Sequence, residues 1–197
     1  MKRAFGRLVL KLSGWSISGG LPKHDKYVLI AAPHTSNWDL VYMLAIAFAL
    51  KMKINWMGKD SLFKPPFGII LRWLGGVAID RSKTNNVVQA MADEFTKRDR
   101  LILAVPPAGT RGKRDHWKSG FYHIANTAQV PIVLGYLDYS KKTGGFAGSV
   151  MPSGDIASDM DQMRAFYSSV SGKFPEKESV VRLRDEGAKA PVAPENA

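Results

Sequence analysis

The sequence has no cysteine among its 197 residues. This absence excludes disulfide bonds, thiolate metal sites and a cysteine nucleophile. A disulfide-stabilised secreted domain is therefore excluded as well, and the composition is compatible with a reducing compartment. Histidine is also scarce, with four copies in the chain, so chemistry that needs an imidazole has few candidates.

Acidic residues are few compared with basic ones. The chain has 17 Asp and Glu residues against 28 Lys and Arg residues, which gives a formal net charge of +11. Such a charge predicts anionic partners: nucleic acid, anionic lipid head groups or phosphorylated small substrates. The total charge by itself does not choose among these three classes.

Long hydrophobic runs are missing too. The longest, LVYMLAIAFAL at 40–50, is too short to cross a bilayer, so we expect no transmembrane helix. The N-terminus opens with basic residues, but Arg7 and Lys11 interrupt its apolar stretch, which argues against a signal peptide. Residues 3–18 have the periodicity of a basic amphipathic helix, either packed on the domain or lying on a membrane surface.

Short apolar runs alternate with segments of helical periodicity along most of the chain. This alternation predicts an α/β fold, a single domain with a mostly parallel central sheet flanked by helices. We expect an amphipathic N-terminal segment (1–24), the folded domain (25–172) and a C-terminal extension (173–197) that is disordered from about 183. The expected strands are 27–33, 54–58, 76–80, 101–107 and 130–139, and the expected helices are 39–51, 85–99, 119–128 and 159–171.

The segment PHTSNWD (33–39) places a histidine directly after the first apolar run and an aspartate five residues later. His34 could accept a proton from a hydroxyl, with Asp39 fixing its tautomer and stabilising the imidazolium. The same spacing is also typical of a loop histidine followed by an aspartate that caps a helix. The pair alone does not decide between these interpretations.

Basic side chains follow two other predicted strands. Arg81 comes after GGVAID, and Arg111 lies in the Gly-Thr-Arg turn after LILAVPP. Because the carboxyl ends of parallel strands meet at one edge of a sheet, these arginines could form a clamp for a phosphate group. Lys118 ends the basic span 111–118 and is a further candidate for substrate binding. The alternative for this span is a solvated basic surface.

These segments together resemble a known family. The order HTSNWD (34–39), GGVAIDRS (75–82), PPAGTR (106–111) and VPIVLGY (130–136) resembles the four sequence blocks of the glycerophospholipid acyltransferases, the 1-acylglycerol-3-phosphate acyltransferase family. The resemblance covers roughly residues 25–140, and the spacing between the blocks also fits. It looks closest to the short bacterial lysophospholipid-acyltransferase-like members.

The resemblance implies an O-acyl transfer from acyl-coenzyme A or acyl-carrier protein to a hydroxyl of a lysophospholipid or glycerol-phosphate-type acceptor. His34 matches the catalytic base and Asp39 its partner. Arg81 matches the arginine that contacts the acceptor phosphate, and Pro131 a position near the acyl donor. No metal or prosthetic group is implied, because the acyl thioester is a co-substrate. The third block, on the acceptor side, is matched by Gly109, Thr110 and Arg111.

One position departs from the family pattern. The third block normally has a glutamate before Gly-Thr-Arg, and this sequence has Ala108. A carboxylate there could hold an arginine or an acceptor hydroxyl in place, which an alanine cannot do. The change puts the binding of the usual acceptor in question, whereas His34 and Asp39 are both present.

The resulting hypothesis is an acyltransferase that works peripherally at the cytoplasmic, inner face of a membrane and binds an anionic lipid or phosphorylated acceptor. One alternative is a non-catalytic module on the same fold that binds lipid or nucleic acid. Nucleic acid is the weaker partner, because the basic span lacks a recognised nucleic-acid-binding pattern. Another alternative is a thioesterase, in which water replaces the alcohol. The sequence gives no indication of an oligomeric state.

Overall fold

A seven-stranded sheet forms the centre of the molecule. The computed structural model describes residues 1–79, 84–184 and 186, and within this part of the chain the strand order is β1-β7-β6-β2-β5-β3-β4. The strands are β1 (Ser16–Ser18), β2 (Lys26–Ala32), β3 (Ile54–Lys59), β4 (Gly76–Ile79), β5 (Leu101–Val105), β6 (Ile132–Asp138) and β7 (Thr143–Val150).

Five neighbouring strands, β2 to β6, run parallel, whereas β7 returns antiparallel to β6 and pairs in parallel with the short edge strand β1. The central register aligns Ile30 of β2 with Val105 of β5, and Ala32 of β2 with Tyr136 of β6. The carboxyl ends of these three strands therefore lie side by side. In open α/β sheets, ligands bind at this edge.

Helices cover both faces of the sheet. The side chains of β2 point alternately to opposite faces, and those on both faces are buried. Val28 and Ile30 pack in the larger core cluster, and Tyr27 and Leu29 pack in a second cluster with residues of α2. The helices in the described residues are α1 (Lys2–Ser13), α2 (Trp38–Ala49), α3 (Phe67–Trp73), α4 (Thr84–Lys97), α5 (Gly120–Ala128) and α6 (Ile156–Tyr167).

The predicted α/β class and mostly parallel sheet are confirmed, but the prediction of a helix over 3–18 is wrong at its end. The helix ends at Ser13, because Gly14 adopts a left-handed conformation with φ of 72° and its backbone N–H bonds to the Lys11 carbonyl. The chain then forms β1, which was not expected. None of the described helices has the length and apolar character needed to cross a bilayer.

The chain beyond α6 remains packed against the domain at least to Leu183. Leu183 is buried, and the Arg182 carbonyl accepts a hydrogen bond of 2.7 Å from the Trp117 backbone N–H. Residues 185 and 187–197, which hold most of the expected disordered tail, lie outside the described residues. The division of the chain into three segments stays a prediction.

The helices α1 and α2 are in close contact through small residues. Gly6 is buried in α1, and a Cβ atom added to it would lie 2.4 Å from the Ala45 carbonyl oxygen and 2.8 Å from the Ala49 backbone nitrogen of α2. Real Cβ contacts are never this short, so glycine at position 6 sets the distance between the two helices.

We expect Gly6→Ala to lower the free energy of unfolding by about 1–3 kcal/mol, because α1 must move away from α2. Helix propensity alone would give a gain of about 1 kcal/mol for the same change. Urea unfolding measures the difference. Gly20→Ala is the matched control, because a Cβ atom there has no neighbour within 4 Å. Equal effects of the two substitutions would contradict the close approach of the helices.

Candidate active site

The segment HTSN connects the carboxyl end of β2 to the first turn of α2. β2 ends at Ala32 and α2 begins at Trp38, so His34 lies in the loop and Asp39 lies in the helix. The fold therefore brings both side chains to the edge of the sheet where β5 and β6 also end. His34 remains partly accessible, with 22% of its side chain exposed, while the Asp39 side chain is 7% exposed.

The Asp39 carboxylate accepts hydrogen bonds from four groups. Its Oδ2 accepts from the backbone N–H groups of Thr35 and Ser36, each at 2.9 Å, and lies 3.0 Å from His34 Nδ1. Its Oδ1 accepts a bond of 2.7 Å from the Tyr139 hydroxyl at the end of β6. A carboxylate facing Nδ1 favours the proton on that nitrogen, which leaves Nε2 of His34 able to accept a proton.

The surroundings of Asp39 keep it ionised. Burial pushes the pKa of this carboxyl up, but the hydrogen bonds from His34, Tyr139 and Ser36 outweigh burial and hold the pKa below its ordinary value. Burial and the bond to Asp39 both raise the pKa of Tyr139, so this hydroxyl stays a neutral donor. The cluster thus holds a buried carboxylate at fixed orientation beside the imidazole.

Asp39 also organises its own loop, because it satisfies two backbone N–H groups that precede α2. It is not the N-cap itself, since Asn37 occupies that position. The helix-cap interpretation is therefore wrong in its detail, but the same carboxylate both closes the loop before α2 and contacts the imidazole.

A cavity of about 690 Å³ opens beside the His34–Asp39 pair, called the dyad below. Apolar side chains of the strands and of α2 make up most of its wall, with Leu29, Ile54 and Phe146 as examples. Such a volume suits a drug-sized or larger ligand with a long apolar portion. The polar lining residues are His34, Asn37, Asp39, Thr110, Arg111, Lys118 and Tyr136.

The loop after β5 supplies the basic side of this cavity. Gly109 has a φ of 66°, and a Cβ atom added there would lie 3.0 Å from Lys118 Cε, so the lysine stem lies against the glycine backbone. Lys118 is held in place by a bond of 2.9 Å from its backbone N–H to the Pro107 carbonyl. Arg111 donates to the Asn37 side-chain oxygen. This bond connects the loop after β5 to residues 33–37, the loop after β2 that holds His34 and is called the dyad loop below.

Most of the predicted site residues meet at this cavity. His34, Asp39, Gly109, Thr110, Arg111 and Lys118 all line it, although their individual roles stay predictions. Arg81 lies outside the described residues. Ala108 is buried and faces a separate small cavity of about 40 Å³ that His34 also lines. Pro131 precedes β6 at the amino-terminal edge of the sheet, away from the His34–Asp39 pair, and its place near the acyl donor stays a prediction.

The structure adds participants that the sequence interpretation missed. Tyr139 ends the strand predicted over 130–139. Its position at the carboxyl edge of the predicted sheet could have indicated that it lies near the site. Asn37, within HTSNWD, receives the bond from Arg111. The turn at 171–179, which contacts Thr35 across 139 residues of sequence, had no local signal that could have found it.

Comparison with known proteins identifies the family of the chain. The family model described as Acyltransferase matches residues 19–134, more than half of the chain. The chain therefore belongs to the acyltransferase family.

The curated relatives point to one branch of this family. The chain is 30% identical over 141 residues, 66% of its length, to a 1-acyl-sn-glycerol-3-phosphate acyltransferase of Haemophilus influenzae. It is 34% identical over 139 residues, 65% of its length, to the protein of that name from Streptococcus pneumoniae. These matches cover 57% and 50% of the two relatives, so the chain spans about half the length of the curated proteins that it matches.

A solved structure shows the same fold. The crystal structure of the 1-acyl-sn-glycerophosphate (LPA) acyltransferase of Thermotoga maritima superposes with a TM-score of 0.55 at 17% sequence identity, covering 78% of this chain and 68% of that one. The expected family resemblance and fold class are thus both confirmed.

The Tyr139–Asp39 bond predicts a pH-dependent contribution to stability. The folded pKa of Asp39 lies below the ordinary value of about 3.9, so its bonds stabilise the fold above that pH and are lost as pH falls through the folded pKa. We expect Tyr139→Phe to lower the free energy of unfolding by about 1–3 kcal/mol at pH 7. The difference should shrink at acidic pH, which urea unfolding at several pH values would measure.

The matched control for this prediction is Tyr167→Phe. The Tyr167 hydroxyl is buried and donates a bond of 2.9 Å to the neutral Gly135 carbonyl, so its loss should cost the same at every pH. A Tyr139→Phe difference that is equally independent of pH would show that this hydroxyl does not stabilise the ionised form of Asp39.

Proposed function

We propose that this protein transfers a fatty acyl group from a thioester, acyl-coenzyme A or acyl-carrier protein, to a hydroxyl of a lysophospholipid or glycerol-phosphate-type acceptor. One observation carries the proposal: the hydrogen-bonded His34–Asp39 pair faces a large, mainly apolar cavity with basic side chains in its wall. The family membership and the printed names of the relatives support it.

The proposed reaction moves one proton out and back. His34 Nε2 removes the proton from the acceptor hydroxyl while the oxygen attacks the thioester carbonyl carbon. Asp39 stabilises the imidazolium that forms. The tetrahedral intermediate then breaks its carbon–sulfur bond, and the departing thiolate takes the proton from His34. The products are an ester and a free thiol, and no metal or prosthetic group takes part.

The wall of the cavity fits the two substrates. Its apolar part is suited to a fatty acyl chain, because burying each methylene group contributes about 0.8 kcal/mol. Arg111 and Lys118 are suited to the phosphate of the acceptor. Arg111 is held by Asn37 in the dyad loop, which would keep the phosphate side and the base at a fixed separation.

Acyl transfer is tested with labelled acyl-coenzyme A and acyl-carrier protein, a panel of lysophospholipids and glycerol phosphate, and parallel measurement of thiol and lipid products. We expect equal amounts of thiol and new ester. His34→Ala should lower kcat by about 10²–10⁴-fold, the usual contribution of a general base. His123→Ala is the control, because His123 is exposed on α5.

Other outcomes would point elsewhere. Thiol release with free fatty acid and no ester would indicate the thioesterase alternative. Full activity in His34→Ala would contradict the assigned base. Absence of thiol release with both donors, with binding to lipid vesicles intact, would favour the non-catalytic lipid-binding module.

We further propose that α1 and α3 dock the protein on an anionic lipid surface at the cytoplasmic face of a membrane. Lys2 of α1 places its Nζ 3.7 Å from the ring centroid of Trp73 of α3, so the two helices are neighbours. Leu62, in the 3-10 helix (Asp60–Phe63) that precedes α3, lines the cavity and is also exposed, so an exposed apolar side chain near α3 borders the cavity. The other exposed apolar residues of the two helices are Phe5, Leu8, Leu12, Phe67, Ile69 and Ile70.

The charge of this surface complements an anionic membrane. Arg3, Arg7 and Lys11 are exposed on α1, between its apolar side chains. A helix with this pattern lies in the interface plane, and each basic residue near an anionic surface contributes about 1 kcal/mol.

Vesicle flotation tests the docking proposal. We expect binding to vesicles of phosphatidylglycerol and phosphatidylcholine that weakens with salt. The double variant Phe67→Ser/Ile69→Ser should weaken binding by about tenfold or more, because it removes large apolar side chains from the interface. Met151→Ser/Val180→Ser is the matched control, because these exposed residues lie outside α1 and α3. Equal loss in both double variants would contradict the assigned surface.

A further inference from the structure

The turn at 171–179, after α6, lies against the back of the dyad loop. The Phe174 backbone N–H donates a bond of 3.2 Å to Thr35 Oγ1. Gly172 is buried, and a Cβ atom added to it would lie 2.9 Å from the same Thr35 oxygen and 3.2 Å from Pro33 Cβ. The backbone of the turn therefore contacts the loop directly.

The same turn also binds the residue that follows β6, Tyr139. The Ser171 carbonyl accepts a bond of 2.8 Å from the Tyr139 backbone N–H. Thr35 and Tyr139 each donate to a different oxygen of Asp39. The turn thus supports Asp39 from both of its sides, through two residues that are distant in sequence.

One carboxylate closes this turn. Glu178 is half-buried, and its Oε1 accepts a bond of 2.6 Å from the Gly172 backbone N–H and lies 3.4 Å from Ser171 Oγ. These bonds join the end of the turn to its beginning across six and seven residues. A bond to an ionised acceptor is about twice as strong as a neutral one.

We propose that Glu178 is a positioning residue for the His34–Asp39 pair: its carboxylate holds the 171–174 backbone against Thr35 and Tyr139 and so fixes the orientation of Asp39. The proposal deepens the acyl-transfer function above, and its effect on catalysis rests on that function. A displacement of about 1 Å in a catalytic group can lower a rate by about a hundredfold, so distant support of this kind has kinetic consequences.

A small cavity adds a second reason to look at this residue. Glu178, Ala108 and His34 all line the cavity of about 40 Å³, which has room for about one water molecule. Glu178 is the acidic side chain among the described residues that line it. The turn at 171–179 therefore contributes an acidic residue to the wall of a cavity to which position 108, an alanine, contributes none.

Hydrogen exchange tests the positioning without any assay of activity. The Thr35 and Ser36 amides donate to Asp39, so their exchange rates report on its orientation. We expect Glu178→Ala to raise both rates by about tenfold or more, because the loop loses its support. Glu178→Gln keeps an acceptor oxygen but loses the charge, so its exchange rates should lie between those of wild type and Glu178→Ala. Glu176→Ala is the matched control, because Glu176 is exposed in the same turn.

Steady-state kinetics test the consequence for the reaction. Glu178→Ala should lower kcat by about tenfold with KM nearly unchanged, because Glu178 does not line the substrate cavity. Tyr122→Phe removes the bond of 2.7 Å to Asp159, remote from the dyad, and should lower the Tm without lowering kcat. Thr35→Val, which removes the acceptor of the Phe174 N–H, should reproduce the kinetic effect even if Glu178→Ala fails to fold.

Two results would overturn the proposal. One is unchanged Thr35 and Ser36 exchange in Glu178→Ala together with unchanged Ser36 exchange in Thr35→Val. The other is a Glu178→Gln variant as impaired as Glu178→Ala. Failure of the wild-type chain to transfer acyl groups would instead overturn the proposed function. In that event the exchange rates still decide whether Glu178 positions the pair.

Discussion

The buried carboxylate of Asp39 is the interaction on which the rest of the site depends. A carboxylate removed from water is unfavourable unless several donors satisfy it, and this one has two backbone N–H groups, an imidazole and a phenol. The bonds to Asp39 shape the loop after β2 and fix the end of β6 relative to α2. The carboxylate also favours the proton on Nδ1 of His34. The same buried carboxylate therefore determines both the shape of the loop and the orientation of the imidazole.

The sheet topology makes this convergence possible. Parallel strands β2, β5 and β6 end at one edge, so loops that are distant in sequence lie within hydrogen-bonding distance. The Arg111–Asn37 bond joins the loop after β5 to the loop after β2, and Tyr139 joins the end of β6 to Asp39. The mainly apolar cavity lies beside this polar edge, and the proposed function rests on that arrangement.

The position of Ala108 has a different meaning in the folded chain than in the sequence. As a sequence feature it is a missing carboxylate in the third block. In the structure it is a buried methyl group beside a water-sized cavity that a glutamate from a later turn also lines. Whether this small cavity has an acidic residue in its wall thus depends on Ala108 and Glu178, which are 70 positions apart. A local sequence pattern cannot show that they are neighbours.

Local patterns were sufficient for the fold class, the main strands and helices, and the His34–Asp39 pair, because strand and helix periodicity and the four sequence blocks are short-range properties. They failed where neighbours in space decide: the end of α1 at Gly14, the edge strand β1, the support of Asp39 by Tyr139 and the turn closed by Glu178. The sequence by itself determined which residue types could do the chemistry. Only the tertiary structure decided how the Asp39 carboxylate is held, because its donors come from two segments, the loop after β2 and the residue after β6, that meet when the sheet forms.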